Sequence, residues 1–284
     1  MSRFSEPVYP RPDLPPREAI AEYYRAAGPL MLPFIAGRPL NLYRCSGERC
    51  FFQRNRDHPP TGEGFFREPI RQVPIAQKNG RTEEYLYVDS VEGIIACVEA
   101  KAVEFHAWGC RTGDVERPDR IAIDLDPGEG VGFEAVREAA LQVRDSLAAI
   151  GLESWPLLTG GKGVHVVVPI RPQAQWDEAR GFAHRFCAAL AGLLPDRFTV
   201  ALPKAQRQGR IFLDYLRNQR TATAVMPWSL RARDGVPVAA PASWEELETA
   251  QSAVAVRIDD VAKLAKRARR LRGWGESDQA LPEI

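Results

Sequence analysis

RIAIDLDPGEG, at positions 120–130, is an apolar run that ends in two carboxylates, Asp124 and Asp126, followed at once by Pro127 and Gly128. The run predicts a buried strand, and the proline and glycine predict the turn that ends it. Side chains alternate between the faces of a strand, so residues two apart project from the same face. Two neighbouring anions repel each other unless a positive charge lies between them. The stretch therefore predicts a strand that holds a cation at its carboxyl end.

A second apolar strand carries a third carboxylate. In RIFLDYLRN, residues 210–218, Asp214 stands where the alternation of a strand would place an inward side chain. A buried carboxylate without a partner is costly, and three carboxylates on adjacent strands make an oxygen-rich site for Mg²⁺ or Mn²⁺. Two such ions can activate a 3′-hydroxyl and neutralise a triphosphate. The alternative is that the carboxylates at these strand ends are simply solvated.

A glycine-rich turn follows in TGGKGVHVVVPI, residues 159–170, and it carries Thr159, Lys162 and His165. Glycines let backbone N–H groups approach an anion closely, and the lysine adds a point charge. The glycine spacing is not that of a P-loop, and no helix follows the turn. The turn is a candidate anion site, although a simple hairpin between two strands would have the same composition.

Another stretch, EFHAWG at residues 104–109, places Glu104, His106 and Trp108 on one face of a predicted strand. A histidine beside polar residues is a candidate for contact with a ligand. The alternative is a structural histidine next to a core tryptophan, which is the more usual situation for a single histidine.

Aromatic and basic residues supply further candidates for nucleic-acid binding. In CFFQRN, residues 50–55, Phe51 and Phe52 point to opposite faces of a predicted strand, so one ring can be exposed and stack on a base. One core ring and one partly covered ring would be an equally good interpretation. Basic residues also surround Asp214, and they suit a triphosphate or nucleic acid. The set is Lys204, Arg207, Arg210, Arg217, Arg220, Arg231 and Arg233.

The composition is that of a globular protein. The chain has 284 residues, of which 45% are hydrophobic, and this is enough for a large packed core. Lys and Arg number 38 against 37 Asp and Glu, so the net charge of +1 says nothing about a polyanionic partner. Predicted strands and helices alternate, which is typical of an α/β or α+β protein. We expect a single domain over residues 1–284, with an N-terminal supporting lobe (1–110), a catalytic core (111–250) and a basic C-terminal helix (251–284).

Cysteine usage and the N-terminus bear on the cellular location. The five cysteines are scattered and odd in number, which predicts free thiols in a reducing compartment. Cys45 and Cys50 lack the second pair of ligands that a zinc site needs. No apolar run is long enough to span a membrane, and the N-terminus lacks the apolar core of a signal peptide. We therefore expect a cytoplasmic protein with no membrane partner.

Considered jointly, the motifs resemble the polymerase domain of bacterial DNA ligase D, a member of the archaeo-eukaryotic primase superfamily. EFHAWG, IAIDLDPGEG, TGGKGVHVVVPI and FLDYLRN occur in the order seen in that family. Its N-terminal part resembles YYRAAGPLMLPFIAGRPLNLYRC and FFQRN, and its C-terminal part resembles WSLRARDGVPVAAPASWEEL. The resemblance extends from about residue 18 to residue 247. It implies a primase-like catalytic core with antiparallel and mixed sheets flanked by helices.

The resemblance also implies roles for individual residues. Asp124, Asp126 and Asp214 would be the catalytic aspartates that hold two Mn²⁺ or Mg²⁺ ions. The nucleotide-binding residues would be Phe51, Phe52, His106, Thr159, Lys162, Gly163, His165, Arg217 and Arg231. The family extends primers at broken DNA ends in non-homologous end joining, often favours ribonucleotides, and works with Ku and a DNA ligase. The implied substrates are DNA with ends or gaps and nucleoside triphosphates, and the implied location is the nucleoid.

The sequence departs from the family pattern near its N-terminus. Lysines that hold the 5′-phosphate across a gap usually precede the helix that begins here with AEYY, but this chain has Arg11 and Arg17 instead. Arginine can replace lysine as a phosphate ligand, although its planar fork needs a different geometry. We therefore expect weaker recognition of the 5′-phosphate, through Arg11 and Arg17, with Lys78 or Arg25 as alternatives. Thr159 replaces the usual serine of the turn and keeps its hydroxyl.

Two other functions stay open from the sequence alone. A metal-dependent glycosyltransferase also uses an Asp-x-Asp pair with Mn²⁺. A DNA-end-binding module with a decayed site would carry out no catalysis. The third strand-borne aspartate and the arginines beyond it favour the polymerase, and the presence of all three aspartates counts against decay.

Overall fold

The computed structural model describes residues 8–56, 67–77 and 79–282, which form six α-helices and three sheets. The helices are α1 (Arg17–Ile35), α2 (Val91–Glu99), α3 (Phe133–Ala148), α4 (Trp176–Leu193), α5 (Trp244–Thr249) and α6 (Val261–Arg270). The strands are β1 (Val8–Pro10), β2 (Leu40–Ser46), β3 (Arg49–Gln53), β4 (Arg71–Ala76), β5 (Thr82–Tyr87), β6 (Ala102–Ala107), β7 (Arg120–Pro127), β8 (Trp155–Leu158), β9 (Val164–Pro169), β10 (Phe198–Thr199), β11 (Ile211–Asp214), β12 (Ala224–Val225) and β13 (Ala240–Pro241). Short 3₁₀ turns occupy Lys204–Gln206, Leu216–Asn218 and Ile258–Asp260.

The first sheet has the strand order β1–β3–β2–β6–β12, and its neighbouring strands are antiparallel. Helix α1 packs on this sheet because its apolar residues recur on one side, which buries Tyr23, Tyr24 and Met31. The hydroxyl of Tyr24 donates a hydrogen bond of 2.7 Å to the carbonyl oxygen of Val103 and ties the helix to β6.

The core beneath the first sheet also contains residues from much later in the chain. Leu230 and Leu264 belong to the same apolar cluster as the buried side of α1. The hydroxyl of Tyr23 donates to the carbonyl oxygen of Trp228 at 2.9 Å, and the N–H of Leu230 donates to the hydroxyl of Tyr24 at 2.9 Å. Residues from both ends of the described chain therefore share one core. The division into a supporting lobe, a catalytic core and a C-terminal helix stays a prediction.

The second sheet has the strand order β10–β11–β7–β9–β8–β13, in which only the pair β10–β11 is parallel among the described strands. Its apolar core includes residues of β7, β9, α3 and α4. Strand β11 ends at Asp214, and beyond it the side chain of Asn218 continues the pairing with β7. Its Nδ2 donates to the carbonyl oxygen of Ala122 at 2.8 Å, and its Oδ1 accepts from the N–H of Ala122 at 2.7 Å. This bridge holds the end of β11 against the middle of β7.

The third sheet is the hairpin β4–β5, which packs on the EFHAWG strand through Tyr85 and Trp108, with ring centroids 5.1 Å apart. The expected α+β fold, with antiparallel and mixed sheets flanked by helices, is confirmed. Within the described residues, every helix is too short or too polar to cross a membrane.

The prediction of free thiols is wrong for Cys45 and Cys50, which form a disulfide. Strands β2 and β3 form a hairpin in which these residues lie directly opposite each other, with their Cα atoms 4.1 Å apart. Their spacing in the sequence does not reveal this register, which depends on where the hairpin turns. Cys97, Cys110 and Cys187 are free and buried.

Candidate active site and metal centre

Two neighbouring strands bring the three aspartates together. Strands β7 and β11 pair with Asp124 opposite Asp214, and Asp126 follows two residues later on β7. One carboxylate oxygen from each aspartate lies within 4.8 Å of those of the other two. Asp124 and Asp214 are buried, and Asp126 is half-buried. The structure thus gathers all three predicted metal ligands at the carboxyl end of β7.

Positive groups compensate only part of this negative charge. The guanidinium of Arg217 lies 3.2 Å from an oxygen of Asp124 and 3.2 Å from an oxygen of Asp214, and Nε2 of His165 lies 3.3 Å from Asp124. Burial would raise the pKa of Asp124, but His165 and Arg217 lower it to about 2. Burial and the charge of Asp124 raise the pKa of Asp126 to about 6, and burial raises the pKa of Asp214. A bound cation would remove the repulsion that these shifts express.

The donor set fits a hard divalent cation. Mg²⁺ and Mn²⁺ prefer carboxylate oxygens, and three carboxylates facing one arginine leave an excess of negative charge. Asp124 and Asp126 line a cavity of about 520 Å³, which leaves room for further oxygen ligands from water or a phosphate, and Asp214 lies behind them. Asp124, Asp126 and Asp214 are therefore the residues that would hold a metal.

The glycine-rich turn between β8 and β9 lies tightly against the strand of the aspartates. A Cβ on Gly163 would lie 2.6 Å from the carbonyl oxygen of Leu125, so only glycine fits there. Gly160 has a φ of +68°, in the left-handed region that favours glycine. The hydroxyl of Thr159 donates to the carbonyl oxygen of Gly163 at 2.8 Å and closes the turn. Lys162 is exposed at the tip of the turn and lines the cavity.

A buried glutamate on β6 organises another part of the cavity wall. Glu104 binds Nε2 of His106 at 2.8 Å and accepts hydrogen bonds from Nε of Arg231 at 2.9 Å and from the N–H of Ala232 at 2.8 Å. Nη1 of Arg231 donates onward to the carbonyl oxygen of Thr159 at 2.7 Å. A single carboxylate therefore connects His106 and Arg231 to the glycine-rich turn.

The protonation states of this cluster follow from its contacts. Burial would raise the pKa of Glu104, but Arg231 and His106 lower it to about 2. Burial lowers the pKa of His106, although Glu104 acts in the opposite direction. At neutral pH we therefore expect an anionic Glu104 that accepts the Nε2–H of a neutral His106, with Nδ1 left as an acceptor. The sequence analysis assigned no role to Glu104. The pattern that could have indicated one is its position two residues before His106, which places both side chains on the same face of the strand.

The structure separates the two phenylalanines. Phe52 lies beside His106, with ring centroids 5.2 Å apart, and is half-buried. Phe51 has 0% of its surface exposed and lies beneath the guanidinium of Arg44, which is 5.4 Å from its ring centroid. Phe51 therefore offers no free face to a base, because strand alternation places the two rings on opposite sides of β3 and Phe51 is the buried one. The nucleotide role that the resemblance implies for Phe52 stays a prediction.

The cavity collects most of the predicted site residues. Those that line it are His106, Asp124, Asp126, Thr159, Lys162, Gly163, His165, Arg217 and Arg231. Lys204 and Arg233 also line it, although sequence reasoning placed them only in a general basic set. A Cβ on Gly161 would lie 3.3 Å from the guanidinium of Arg233, which places this arginine beside the glycine-rich turn. Arg207 lines the cavity as well, and its guanidinium lies 3.6 Å from the ring centroid of Phe212.

Arg11 and Arg17 lie at a second cavity, of about 230 Å³, beside the first sheet. Nη1 of Arg11 donates to the carbonyl oxygen of Gly47 at 3.3 Å, and Nη1 of Arg17 donates to that of Glu99 at 3.1 Å. Lys101 lines the same cavity, and no acidic side chain within the described ranges does so. Sequence reasoning missed Lys101 because it comes from the turn before β6, far from the N-terminal arginines in the chain.

Comparisons with known proteins agree with one another. The family model described as LigD, primase-polymerase domain, matches residues 17–271. The chain is 34% identical over 238 residues to the multifunctional non-homologous end joining protein LigD of Pseudomonas aeruginosa, which covers 82% of this chain and 27% of that protein. It is 27% identical over 256 residues to the bifunctional non-homologous end joining protein LigD of Bacillus subtilis, which covers 88% of this chain and 40% of that protein.

A solved structure is also similar. The polymerase domain from Mycobacterium tuberculosis ligase D, in complex with DNA, matches with a TM-score of 0.79 and 29% identity over 91% of this chain and 92% of that one. The chain thus spans nearly all of a solved polymerase domain, but less than half the length of the curated relatives named above.

Replacing one of the aspartates should weaken metal binding. Asp124→Asn or Asp214→Asn removes a charged oxygen ligand, so we expect the Mn²⁺ affinity to fall by more than about tenfold, since even indirect ligand contacts are worth that much. Titration of the free protein with Mn²⁺, followed by electron paramagnetic resonance, measures the effect. Asp177→Asn, at an exposed position on α4, is the control. Unchanged Mn²⁺ affinity in both site variants would contradict the metal centre.

Replacing Glu104 should change how stability depends on pH. The folded-state pKa of about 2 lies below the ordinary value of about 4.3, so ionised Glu104 stabilises the fold above about pH 4.3 and this contribution is lost as the pH falls towards 2. We expect Glu104→Gln to lower the free energy of unfolding by about 3 kcal/mol at pH 6, and by progressively less at lower pH.

Urea denaturation across this pH range measures the difference between the parent and the Glu104 variant. Glu22→Gln, at an exposed position on α1, is the matched control. A difference that stays the same from pH 6 down to pH 3 would show that the charge of Glu104 is not what stabilises this wall.

Proposed function

Because this chain belongs to the LigD primase-polymerase domain family and is a nucleotidyltransferase that acts on DNA, we propose that it performs template-directed addition of nucleotides to the 3′ ends of broken or gapped DNA. The observation that carries the proposal is one cavity that combines a carboxylate cluster with cationic side chains. A divalent cation needs the carboxylates, and a triphosphate needs the cations. The family assignment decides against the glycosyltransferase, which shares only the Asp-x-Asp pair.

Cationic groups of the cavity would bind the triphosphate. Lys162 projects from the glycine-rich turn, and Arg231 is held in place by Glu104 and the carbonyl oxygen of Thr159. Within the described part of the chain, Arg233 forms no ion pair and is therefore available to a phosphate. Positively charged donors fixed before the substrate arrives need little reorganisation during the reaction.

The acidic side of the cavity would position the primer end. His165 and Arg217 keep Asp124 ionised at neutral pH, so its carboxylate is ready to bind a cation. Divalent ions bound at the aspartates would supply activation of the primer 3′-hydroxyl and neutralisation of the phosphates. Phe52, beside His106, offers a ring on which the incoming base can stack. Alignment and charge stabilisation then account for most of the catalysis.

Finer points of the proposal rest on the family resemblance and on the names of the relatives. We propose two bound ions, either Mn²⁺ or Mg²⁺, and a preference for ribonucleoside triphosphates. The curated relatives are named non-homologous end joining proteins, so we propose that the chain acts in end joining at the nucleoid, together with Ku and a DNA ligase.

Primer extension on gapped DNA with Mn²⁺ tests the proposed activity. Asp214→Ala should abolish extension and leave DNA binding largely intact, because it removes a metal ligand and no contact to DNA. Lys162→Ala should raise the Kd for ATP by about tenfold, the value of one charge-assisted contact, and leave the Kd for DNA unchanged.

The matched control for Lys162 is Lys263→Ala, because Lys263 lies on α6 and is paired with Asp260. Competition between ATP and dATP on the same primer tests the sugar preference. Normal extension by the Asp214 variant would contradict the proposed chemistry, and equal loss of ATP and DNA binding in the Lys162 variant would place the turn on the DNA path.

The second cavity supports a proposal for the 5′-phosphate of the downstream strand. Arg11, Arg17 and Lys101 converge on it, and a dianion needs two or more such cations. Both arginines also donate to backbone carbonyl oxygens, which holds their guanidinium groups at the cavity. Arg25 is exposed on α1, and Lys78 lies outside the described residues.

Recognition of the 5′-phosphate should depend on these cations. We expect the parent to bind gapped DNA with a 5′-phosphate more tightly than the unphosphorylated form, by a factor on the order of ten. The double variant Arg11→Ala/Arg17→Ala should remove this preference, and Lys101→Ala should reduce it. Fluorescence anisotropy at fixed salt measures it, because phosphate contacts are salt-sensitive. A strong preference that survives the double substitution but disappears in Arg25→Ala would move the site to α1.

A further inference from the structure

A series of aromatic rings leads away from the nucleotide cavity across the first sheet. It starts at His106, which lines the cavity, and continues to Phe52, whose ring centroid lies 5.2 Å away. The ring of Tyr43 follows 4.8 Å beyond Phe52, and that of Tyr9 follows 6.1 Å beyond Tyr43. We call Phe52, Tyr43 and Tyr9 the aromatic strip. They come from β3, β2 and β1, so the strip exists only because these three strands pair.

The strip becomes more exposed towards its outer end. Phe52 and Tyr43 are half-buried, whereas Tyr9 has 42% of its surface exposed and its neighbour Val8 has 41%. One exposed aromatic ring is common on a protein surface and needs no explanation. Here, however, the exposed ring continues a row that begins inside the candidate site. Tyr9 lies on the edge strand β1, so the row opens to solvent where it leaves the sheet.

Cationic side chains lie at both ends of the strip, and one exposed carboxylate, that of Glu48, lies beside its outer end. Arg233 lies close enough to Tyr43 to interact electrostatically with its hydroxyl, and it also lies against the glycine-rich turn. At the other end, Arg49 is exposed and shares a shallow cavity with Tyr9. The hydroxyl of Tyr43 is neutral at physiological pH, as in an ordinary tyrosine, and burial raises its pKa further, to about 12. Glu104, which is also near Tyr43, is neutralised by Arg231.

We propose that the aromatic strip binds the unpaired bases of a single DNA strand, the template overhang, where it extends beyond the nucleotide cavity. Rings stack on any base, so the contact would tolerate all sequences, and Arg233 and Arg49 would contact the phosphates between the bases. The partner is single-stranded rather than duplex DNA because stacked bases of a duplex offer no free face to a ring. The inference rests on the proposed function and assigns Tyr43 and Tyr9 to the substrate of that same site.

Binding to primer–template duplexes with template overhangs of increasing length tests the inference. We expect the affinity of the parent to rise as the overhang grows from none to several nucleotides. Tyr43→Ala should lose about tenfold in affinity for the long overhang and almost nothing for the blunt duplex, since one base–ring contact is worth about that much. Tyr9→Ala should show a smaller loss, and only with overhangs long enough to reach it.

Two control variants make the comparison specific. Tyr43→Phe keeps the ring and should keep the overhang preference, and Tyr87→Ala removes a half-buried tyrosine from β5, outside the strip. Thermal unfolding of each variant identifies loss of the fold. Because Tyr9 lies on an exposed edge strand, its variant keeps the test valid even where Tyr43→Ala is poorly folded.

The outcomes separate this inference from the proposed function. If the parent extends primers but folded Tyr43 and Tyr9 variants keep the full overhang preference, the strip is only structural. The inference is then wrong, while the proposed function stands. Equal losses on blunt and overhanging DNA would likewise overturn it. If the parent neither extends primers nor binds DNA ends, the proposed function fails and the inference fails with it.

Discussion

Repulsion among three carboxylates on two neighbouring strands is the constraint on which the rest of the site depends. The central strand β7 carries Asp124 and Asp126, and compensation comes from both of its neighbours: His165 stands on β9, and Arg217 follows β11. The compensation is uneven, because it lowers the pKa of Asp124 and leaves that of Asp126 raised. The inner carboxylate is therefore already charged when a cation arrives, and the outer one gains most from its arrival. Sheet pairing, more than any single loop, sets this balance.

Glu104 shows the opposite balance of charge in the same cavity. At the aspartate cluster carboxylates outnumber cations, whereas around Glu104 two cationic or polar donors and a backbone N–H converge on one carboxylate. The aspartate cluster attracts a cation, whereas Glu104 holds cationic side chains in positions where they can bind an anion. A substrate composed of a metal and a triphosphate would satisfy both at once. The link from Arg231 to the carbonyl oxygen of Thr159 joins the two halves, which come from different sheets.

Sequence patterns correctly predicted the features of the site that depend only on residues adjacent in the chain. The spacing of Asp124 and Asp126 and the composition of the glycine-rich turn indicated their chemistry because strand alternation and glycine conformation are local properties. The burial of Phe51 could not be predicted from local sequence. Strand alternation shows that Phe51 and Phe52 point to opposite faces, but the pairing of β3 with β2 decides which ring faces the site. Lys101 joins Arg17 at one cavity through packing between distant segments, which no local pattern records. The register of the β2–β3 hairpin likewise determines that Cys45 lies opposite Cys50 and forms a disulfide with it.

The shared core beneath the first sheet has a consequence for the order in which the chain folds. The buried side of α1 packs with residues from 226 to 264, and the hydroxyls of Tyr23 and Tyr24 bond to Trp228 and Leu230. During synthesis, strands β1, β2, β3 and β6 of the first sheet leave the ribosome early, but β12 and the residues that complete their core emerge late. Contacts so distant in sequence slow folding and leave apolar surface exposed in the meantime. The second sheet also needs a late strand, β13, and the cavity between the two sheets becomes complete only when the segment that carries Arg231 packs against α1.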